Sequence, residues 1–396
     1  MSAKKQKTKG KMLLGLLMAA VCLFSASVGI TVGQLPHELT VSRSVAASGK
    51  TELSTFLPTQ VEYGGSQQAA ARLFGLIRLK TLPVRMASPV KVRLGGTLFG
   101  VRMYSDGVMV VGLSDFSSEG RSANPAREAG ITEGDVIRSV NGRKVYRSAE
   151  FSEIAEHADA SITLDVLKRD GKLRKITLTP LYSDGDRCLK TGMWVRDSAA
   201  GIGTLTYIHP ESGAFGGLGH GICDSDTQSI IPVHGGEIVE AEFIDVKRGV
   251  KGIAGEIRGW LGTETLGKLS DNTVCGMFGQ YTAALPEGDD YEVAMKQEIR
   301  TGKAQVLCTV DGSGVPRFYG IEIEKINYNA GEQAKNMIVR VTDEDLLNKT
   351  GGIVQGMSGS PIVQDGKLVG AMTHVFVNDP TCGYAIFAEN MLRMGG

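Results

Sequence analysis

From Met12 to Val32 the chain runs for 21 residues without a charge, as MLLGLLMAAVCLFSASVGITV. That length matches the ~20 apolar residues an α-helix needs to cross the hydrocarbon core of a bilayer. Lysines 4, 5, 7, 9 and 11 precede it, and such a cluster stays on the cytoplasmic side. The bulk of the chain is therefore expected outside the cytoplasm. Two fates fit the run. One is a retained anchor, which its full length favours; the other is a signal peptide cut near Phe24-Ser25-Ala26-Ser27. With the five lysines set aside, 38 basic residues face 43 acidic ones. No basic stripe is left for nucleic acid. The cysteines, at 22, 188, 223, 275, 308 and 382, form no CxxC pair. That argues against a zinc ribbon and favours reduced or buried thiols. No metal and no cofactor is expected.

The 52 glycines lie without period among short apolar runs, the pattern of many turns joining short strands rather than of long helices. Residues 1–33 are read as the basic tail and anchor, and 34–85 as a linker. In the linker Thr40 to Gly65 is rich in Ser, Thr and Gly, and Ala69 to Leu79 is an apolar stretch of helix or strand. From Val90 onward apolar alternation sets in, with expected strands at Val90–Leu94, Gly96–Val101 and Val108–Val111. A short helix follows at Asn124–Ile131, then a tight turn at Asn141-Gly142, a helix over Ser148–Ala158 and strands at Ile162–Val166 and Lys175–Leu178. The run AREAGITEGDVIRSVNGRKV within this stretch resembles the hallmark of PDZ domains. The resemblance spans 86–182 and implies an α+β module to which a peptide adds as a strand beside Leu98 to Val101. The helix at Ser148–Ala158 would close the groove, and the loop Gly96, Thr97, Leu98, Phe99 and Gly100 would offer its N–H groups to the peptide.

From 187 to 396 short strands alternate with Gly, Asp and Asn turns, as in a sandwich or a pair of small barrels. Within them stands Gly356-Met357-Ser358-Gly359-Ser360-Pro361. Small residues beside a serine let the backbone turn sharply and approach a substrate carbonyl. A serine hydroxyl needs a neighbouring base, and the developing oxyanion needs backbone donors, for which the N–H groups of Gly356 and Ser358 are the candidates. Ser360 is the alternative nucleophile. The hexapeptide resembles the G-D-S-G-G-P of chymotrypsin-like proteases, with Met357 and Ser360 as departures. Among the histidines, His37 and His157 lie outside this domain, and His209 and His234 read as turn residues. His220, flanked by glycines and 138 residues before Ser358, suits a base carried on the opposite half of a two-barrel protease. His374 is the rival, or lines the substrate-binding edge. For the acid, Asp343 precedes the serine by 15 residues, with Asp224, Asp226, Asp245, Asp311 and Asp345 as rivals.

Taken together, an anchor, a PDZ-like module, Gly-His-Gly-Ile, Thr-Asp and GGIVQGMSGSPI in that order resemble the SpoIVB peptidase family of endospore-forming Firmicutes. Arg196–Thr204 and Thr373–Thr381 extend the likeness. The resemblance implies a mainly β chain: a transmembrane helix, a PDZ domain and a chymotrypsin-like double β-barrel. It implies a serine endopeptidase with Ser358, His220 and Asp343 in catalytic roles. It further implies cleavage of a membrane-bound sporulation regulator in the space between forespore and mother cell, leading to late sigma-factor processing. Self-cleavage is expected within Thr40–Gly65. The competing expectation, from a different class, is a non-catalytic PDZ scaffold that binds membrane-protein tails.

Overall fold

The computed structural model describes residues 2–64, 67–331 and 334–395. Helix α1 (Ser2–Gln34) contains the apolar segment Met12–Gln34, which is long and apolar enough to cross a membrane. The stretch expected as a linker is folded. It contains β1 (Leu39–Ser42), α2 (Arg43–Ala47), β2 (Lys50–Leu53), β3 (Thr59–Tyr63), β4 (Gln68–Leu73) and β5 (Ile77–Ala87), and the strands form one five-stranded sheet in the order β1-β5-β4-β3-β2. Every second residue of β4 is buried (Ala69, Ala71, Leu73), so one face of the sheet is a core face. Leu39, Val41, Leu53 and Val61 pack into the same cluster as Ile299, Tyr328 and Met337 of the C-terminal half. Polar ties reinforce the seam. Ser42 Oγ donates to Glu298 at 2.9 Å, and Tyr328 Oη accepts the Ser54 N–H at 3.1 Å.

The next strands are β6 (Lys91–Leu94) and the long β7 (Leu98–Leu113), followed by β8 (Phe116–Ser118), β9 (Arg121–Ala123), α3 (Pro125–Glu128), β10 (Val136–Val140), β11 (Arg143–Lys144), α4 (Ser148–Glu156), β12 (Ile162–Leu167) and β13 (Leu173–Leu178). Asn124 caps α3 by accepting the Arg127 N–H, and Pro125 occupies the first helical turn. Asn141 and Gly142 both have positive φ, 52° and 79°, as the expected tight turn requires. The second half of β7 pairs with β10, which pairs with β12, which pairs with β13. Phe151 and Ala155 of α4 pack on this sheet with Val110, Ile137 and Leu164.

After β14 (Leu181–Tyr182) and β15 (Leu189–Lys190) come β16 (Met193–Ile208), β17 (Ala214–Gly217), β18 (Val233–Lys247), β19 (Gly255–Thr273) and β20 (Gly276–Tyr281). The first half of β7 joins them in an antiparallel ring, β7-β16-β17-β20-β19-β18, that closes on itself. Phe99, Val101, Leu205, Phe215, Ile238 and Leu269 fill it. A second ring uses β22 (Gly302–Cys308), β23 (Arg317–Ile326), β24 (Met337–Val341), β26 (Pro361–Gln364), β27 (Lys367–Phe376) and β28 (Asp379–Phe387), in the order β22-β23-β24-β28-β27-β26. β21 (Asp290–Val293) pairs with both β6 and β27 and bridges the rings. Helix α5 (Glu344–Thr350) and β25 (Val354–Gln355) lead into the serine loop, and α6 (Ala388–Gly395) ends the fold. The chain is mainly β, with an apolar N-terminal helix and two curled sheets of the kind a double-barrel protease has.

One expectation is corrected here. Gly96 to Gly100 do not form a peptide-binding loop. Phe99 is fully buried, and the backbone from Phe99 to Tyr104 pairs with β16 on one edge and β18 on the other. A strand paired on both edges has no ladder groups left for a peptide. A Cβ on Gly100 would lie 2.4 Å from Leu261 Cδ2, and Thr97 and Gly96 are tied to Leu205 by backbone hydrogen bonds.

Candidate active site

The serine loop is shaped by glycines and held by the first barrel. Gly356 and Gly359 have φ of 98° and 94°, values that L side chains rarely adopt. A Cβ on Gly359 would sit 2.0 Å from the Thr204 carbonyl oxygen, so the loop is pressed against β16. Three hydrogen bonds make the same contact. Thr204 Oγ1 donates to the Gly356 carbonyl at 2.7 Å, Thr204 N–H to the Ser358 carbonyl at 2.9 Å, and Thr206 Oγ1 to the Gly359 carbonyl at 2.7 Å. Met357, where chymotrypsin-like proteases have an acid, is fully buried in the second barrel's core and anchors the loop by packing. Ser358 is left half-buried at the surface, whereas Ser360 is fully buried. That burial removes Ser360 from the contest for nucleophile. The N–H groups of Gly356 and Ser358 donate to no acceptor among the described residues, which is what an oxyanion pocket needs before substrate arrives.

His220 arrives from the other barrel on the turn after β17. Leu218 and Gly219 both take positive φ, 64° and 68°. Gly219 passes so close to β27 that a Cβ there would lie 3.0 Å from Thr373 Cγ2. His220, Ser358, Thr373 and His374 thus line one cleft of about 420 Å³ between the barrels, with Ile202, Leu218 and Val354 among its apolar walls. The His220 and His374 rings lie 4.8 Å apart and tilted by 38°. His220 Nδ1 is 2.9 Å from the Gly221 carbonyl. A carbonyl only accepts, so this nitrogen carries the proton and Nε2 is left with the lone pair. Burial pushes the His220 pKa down, opposed by that carbonyl. His374 is pushed down to about 4, chiefly by desolvation and then by the charges of His220 and Lys335. Both rings are neutral near pH 7.

The hydroxyl of Ser358 donates to the Thr373 carbonyl at 2.7 Å rather than to His220. Rotation about one side-chain bond reorients the oxygen without moving the loop.

Asp343 is not brought to His220, and its expected place beside the base is corrected. Its carboxylate caps α5, with Oδ1 accepting the N–H groups of Asp345 at 3.0 Å and Leu346 at 3.2 Å and Oδ2 that of Gly320 at 3.1 Å. The rival acids are also engaged elsewhere. Asp224 and Asp226 hold Arg196, Asp245 faces Arg258, and Asp311 and Asp345 hold Lys349. Among the described residues no carboxylate hydrogen-bonds either cleft imidazole.

Two contributions escaped the sequence reading. Thr204 and Thr206 grip the serine loop, yet a Thr alternating along a strand carries no local mark of that task. The second is a groove of about 480 Å³ between α4 and the start of β16, lined by Phe151, Ala155, Gly192, Met193, Trp194 and Val195. There β16 pairs with β7 on one edge, and among the described residues no strand pairs with the other. A glycine followed by apolar residues at 192–195 was the available signal.

Comparison with known families agrees with this architecture. A PDZ domain family model matches residues 117–168. No curated protein matches the chain. The model described as SpoIVB peptidase S55 matches residues 187–392, more than half of the chain and all of the cleft's catalytic candidates. The chain therefore belongs to the SpoIVB peptidase S55 family, a family of sporulation serine peptidases.

Proposed function

We propose that this peptidase cleaves protein substrates with Ser358 as nucleophile, His220 as general base and the N–H groups of Gly356 and Ser358 as oxyanion donors. The observation that carries the reading is their convergence. Ser358 and His220 come from different barrels into one cleft, beside two N–H groups without acceptors among the described residues. As Ser358 Oγ bonds to the scissile carbonyl carbon, Nε2 of His220 takes its proton and the carbonyl oxygen becomes an oxyanion held by the two N–H groups. Collapse breaks the C–N bond, and the imidazolium returns the proton to the leaving amine. Water then hydrolyses the acyl-enzyme by the same relay. The Gly221 carbonyl fixes the His220 tautomer, the task a carboxylate performs in the usual triad. His374 lies against the base and shields it from water.

A peptide strand is proposed to add to the unpaired edge of Met193 to Arg196, under α4, in place of the expected Gly96–Gly100 loop. The family further supports a membrane-bound sporulation regulator as substrate, cut between forespore and mother cell to trigger late sigma-factor processing, and self-cleavage within Thr40–Gly65. Much of that last segment lies in β1 to β3, so its cleavage requires the N-terminal sheet to open locally. The test compares Ser358→Ala with wild type for self-cleavage and for labelling by a fluorophosphonate probe. Both should vanish in the variant; equal labelling and cleavage would overturn the assignment.

A further inference from the structure

Helix α1 does not end free of the body. Thr31 is fully buried, its Oγ1 accepts the Leu57 N–H at 3.2 Å, and Gln34 Oε1 accepts the Phe56 N–H at 2.5 Å. Asn329 Nδ2 donates to the Leu35 carbonyl at 3.1 Å. The last turn of the helix is thus built into the N-terminal sheet and the second barrel. The Pro58 carbonyl in turn accepts the Phe74 N–H at 2.9 Å, which sets the tip of the β4–β5 hairpin beside the same loop. Around this end of the helix, apolar side chains face outward: Phe56 is 58% exposed, Phe74 52%, Leu76 78% and Ile77 55%. Arg78 is exposed next to them, while Arg72, at the hairpin's other shoulder, is half-buried and pairs with Glu62 at 2.7 Å.

The apolar segment Met12–Gln34 has 23 residues. At 1.5 Å per residue it is ~35 Å long, about 5 Å more than a ~30 Å hydrocarbon core. The surplus corresponds to about three residues, and Thr31 to Gln34 are where the body begins. With α1 across a bilayer, this length sets Phe56 and the hairpin tip at the level of the lipid headgroups. Apolar side chains with the exposed Arg78 beside them suit that zone, where the rings and aliphatic groups leave water and the guanidinium meets phosphates.

We propose that Phe56, Phe74, Leu76 and Ile77 form a second membrane contact, inserting into the outer leaflet beside α1. The occupant is the phospholipid bilayer itself. A single helix leaves the body free to turn about the helix axis and to tilt. A wedge beside it fixes both and holds the Ser358 cleft at a set height and facing over the membrane, where the chain of an anchored substrate passes.

The inference rests on α1 crossing the bilayer, and the experiment separates the two. The full chain is reconstituted in phosphatidylcholine vesicles as wild type, Leu76→Trp and Ile77→Trp, both positions being exposed enough to accept tryptophan. Flotation reports the anchor, and the emission added over that of Trp194 and Trp260 reports the tip. The expected result is flotation of all three proteins, with the added emission blue-shifted and at least halved by lipids brominated near the headgroup. Flotation with both added tryptophans quenched only by aqueous acrylamide would overturn the second contact and leave the anchor standing. Failure to float would overturn both.

Discussion

Replacing Asp343 separates a capping role from a catalytic one. Its carboxylate accepts three backbone N–H groups, two in the first turn of α5 and one from Gly320. Losing an N-cap side chain costs ~1 kcal/mol, and leaving a half-buried N–H such as that of Gly320 without a partner costs ~1–3 kcal/mol. Asp343→Ala should therefore lose about 2–4 kcal/mol, which at ~2–4 °C per kcal/mol for a domain of this size lowers Tm by roughly 5–15 °C. Asp343→Ser keeps an acceptor for the helix N–H groups but does not reach Gly320, so it should recover about 1 kcal/mol of the loss. Activity is measured by peptide cleavage at a temperature where all variants are folded, normalised to the fraction of sites titrated by a fluorophosphonate. Through α5 the cap supports the chain that enters the serine loop, so a small loss is expected, within about tenfold of wild type in kcat. Removing a triad aspartate costs about 10⁴ in kcat with the fold intact. An Asp343→Ser enzyme with nearly wild-type Tm and a 10⁴-fold lower kcat would refute the capping account and return Asp343 to the catalytic relay.

Further outcomes follow from the same geometry. Because burial lowers the His220 pKa below 6.5, the acid limb of kcat/KM should have its midpoint below pH 6.5, and His374→Ala, which admits water to the ring, should move it upward. A limb at or above 6.5 in wild type would contradict this. Both imidazoles bind fewer protons folded than unfolded below pH 6.5, so stability should fall as pH drops from about 6.5 toward the His374 value of about 4. Urea melts across that window read it, and a rise in stability on acidification would contradict the burial. Gly359→Ala should cost more than ~3 kcal/mol, since it combines a positive φ with a Cβ 2.0 Å from the Thr204 oxygen. Survival of normal Tm and probe labelling would show that the serine loop is not pressed on β16. Val195→Pro, on the groove edge of β16, should weaken binding of fluorescent peptides without abolishing fluorophosphonate labelling; unchanged peptide affinity would count against that edge.

What could be read in advance is what physical chemistry writes locally. An uncharged run of bilayer length, Asn-Gly between apolar runs, Asn-Pro opening a helix and a serine between glycines each need only a few neighbours to be meaningful, and each is where it was expected. The resemblance sets Asp343 beside the base, against a local signal that the sequence also carries. Asp343-Glu344-Asp345 before Leu346-Leu347 is an N-cap followed by acids in a first turn. Enrichment in Ser, Thr and Gly over Thr40–Gly65 makes the segment 34–85 read as a linker. Its strands are short, and their buried face is completed by residues some 250 positions later, such as Ile299 and Tyr328.

The misplacement of the peptide-binding loop has a deeper cause, which lies in how the two folded units share their strands. Leu98 to Tyr104 pair with Ser198 to Thr204 in the first barrel, while Met109 to Leu113 pair with Met193 to Arg196 in the PDZ sheet. The chain thus runs out of the barrel along β7, builds the PDZ sheet, and returns along β16. The PDZ unit is an insertion at the tip of a barrel hairpin, not a module ahead of the peptidase. Alternation along Gly96–Val101 shows that a strand is there, but pairing across some hundred residues decides which sheet owns it, and a window of sequence carries no record of that. The same continuity places Met193 to Arg196, at the groove, and Thr204, which holds the carbonyls of Gly356 and Ser358, on one uninterrupted strand. From Val195 to Thr204 is nine residues, about 30 Å of extended backbone at ~3.3 Å each. The groove and the serine loop are therefore joined by covalent backbone rather than by a linker. Cutting the chain at residue 187 to isolate a catalytic domain would remove β7, one staff of the barrel that carries His220.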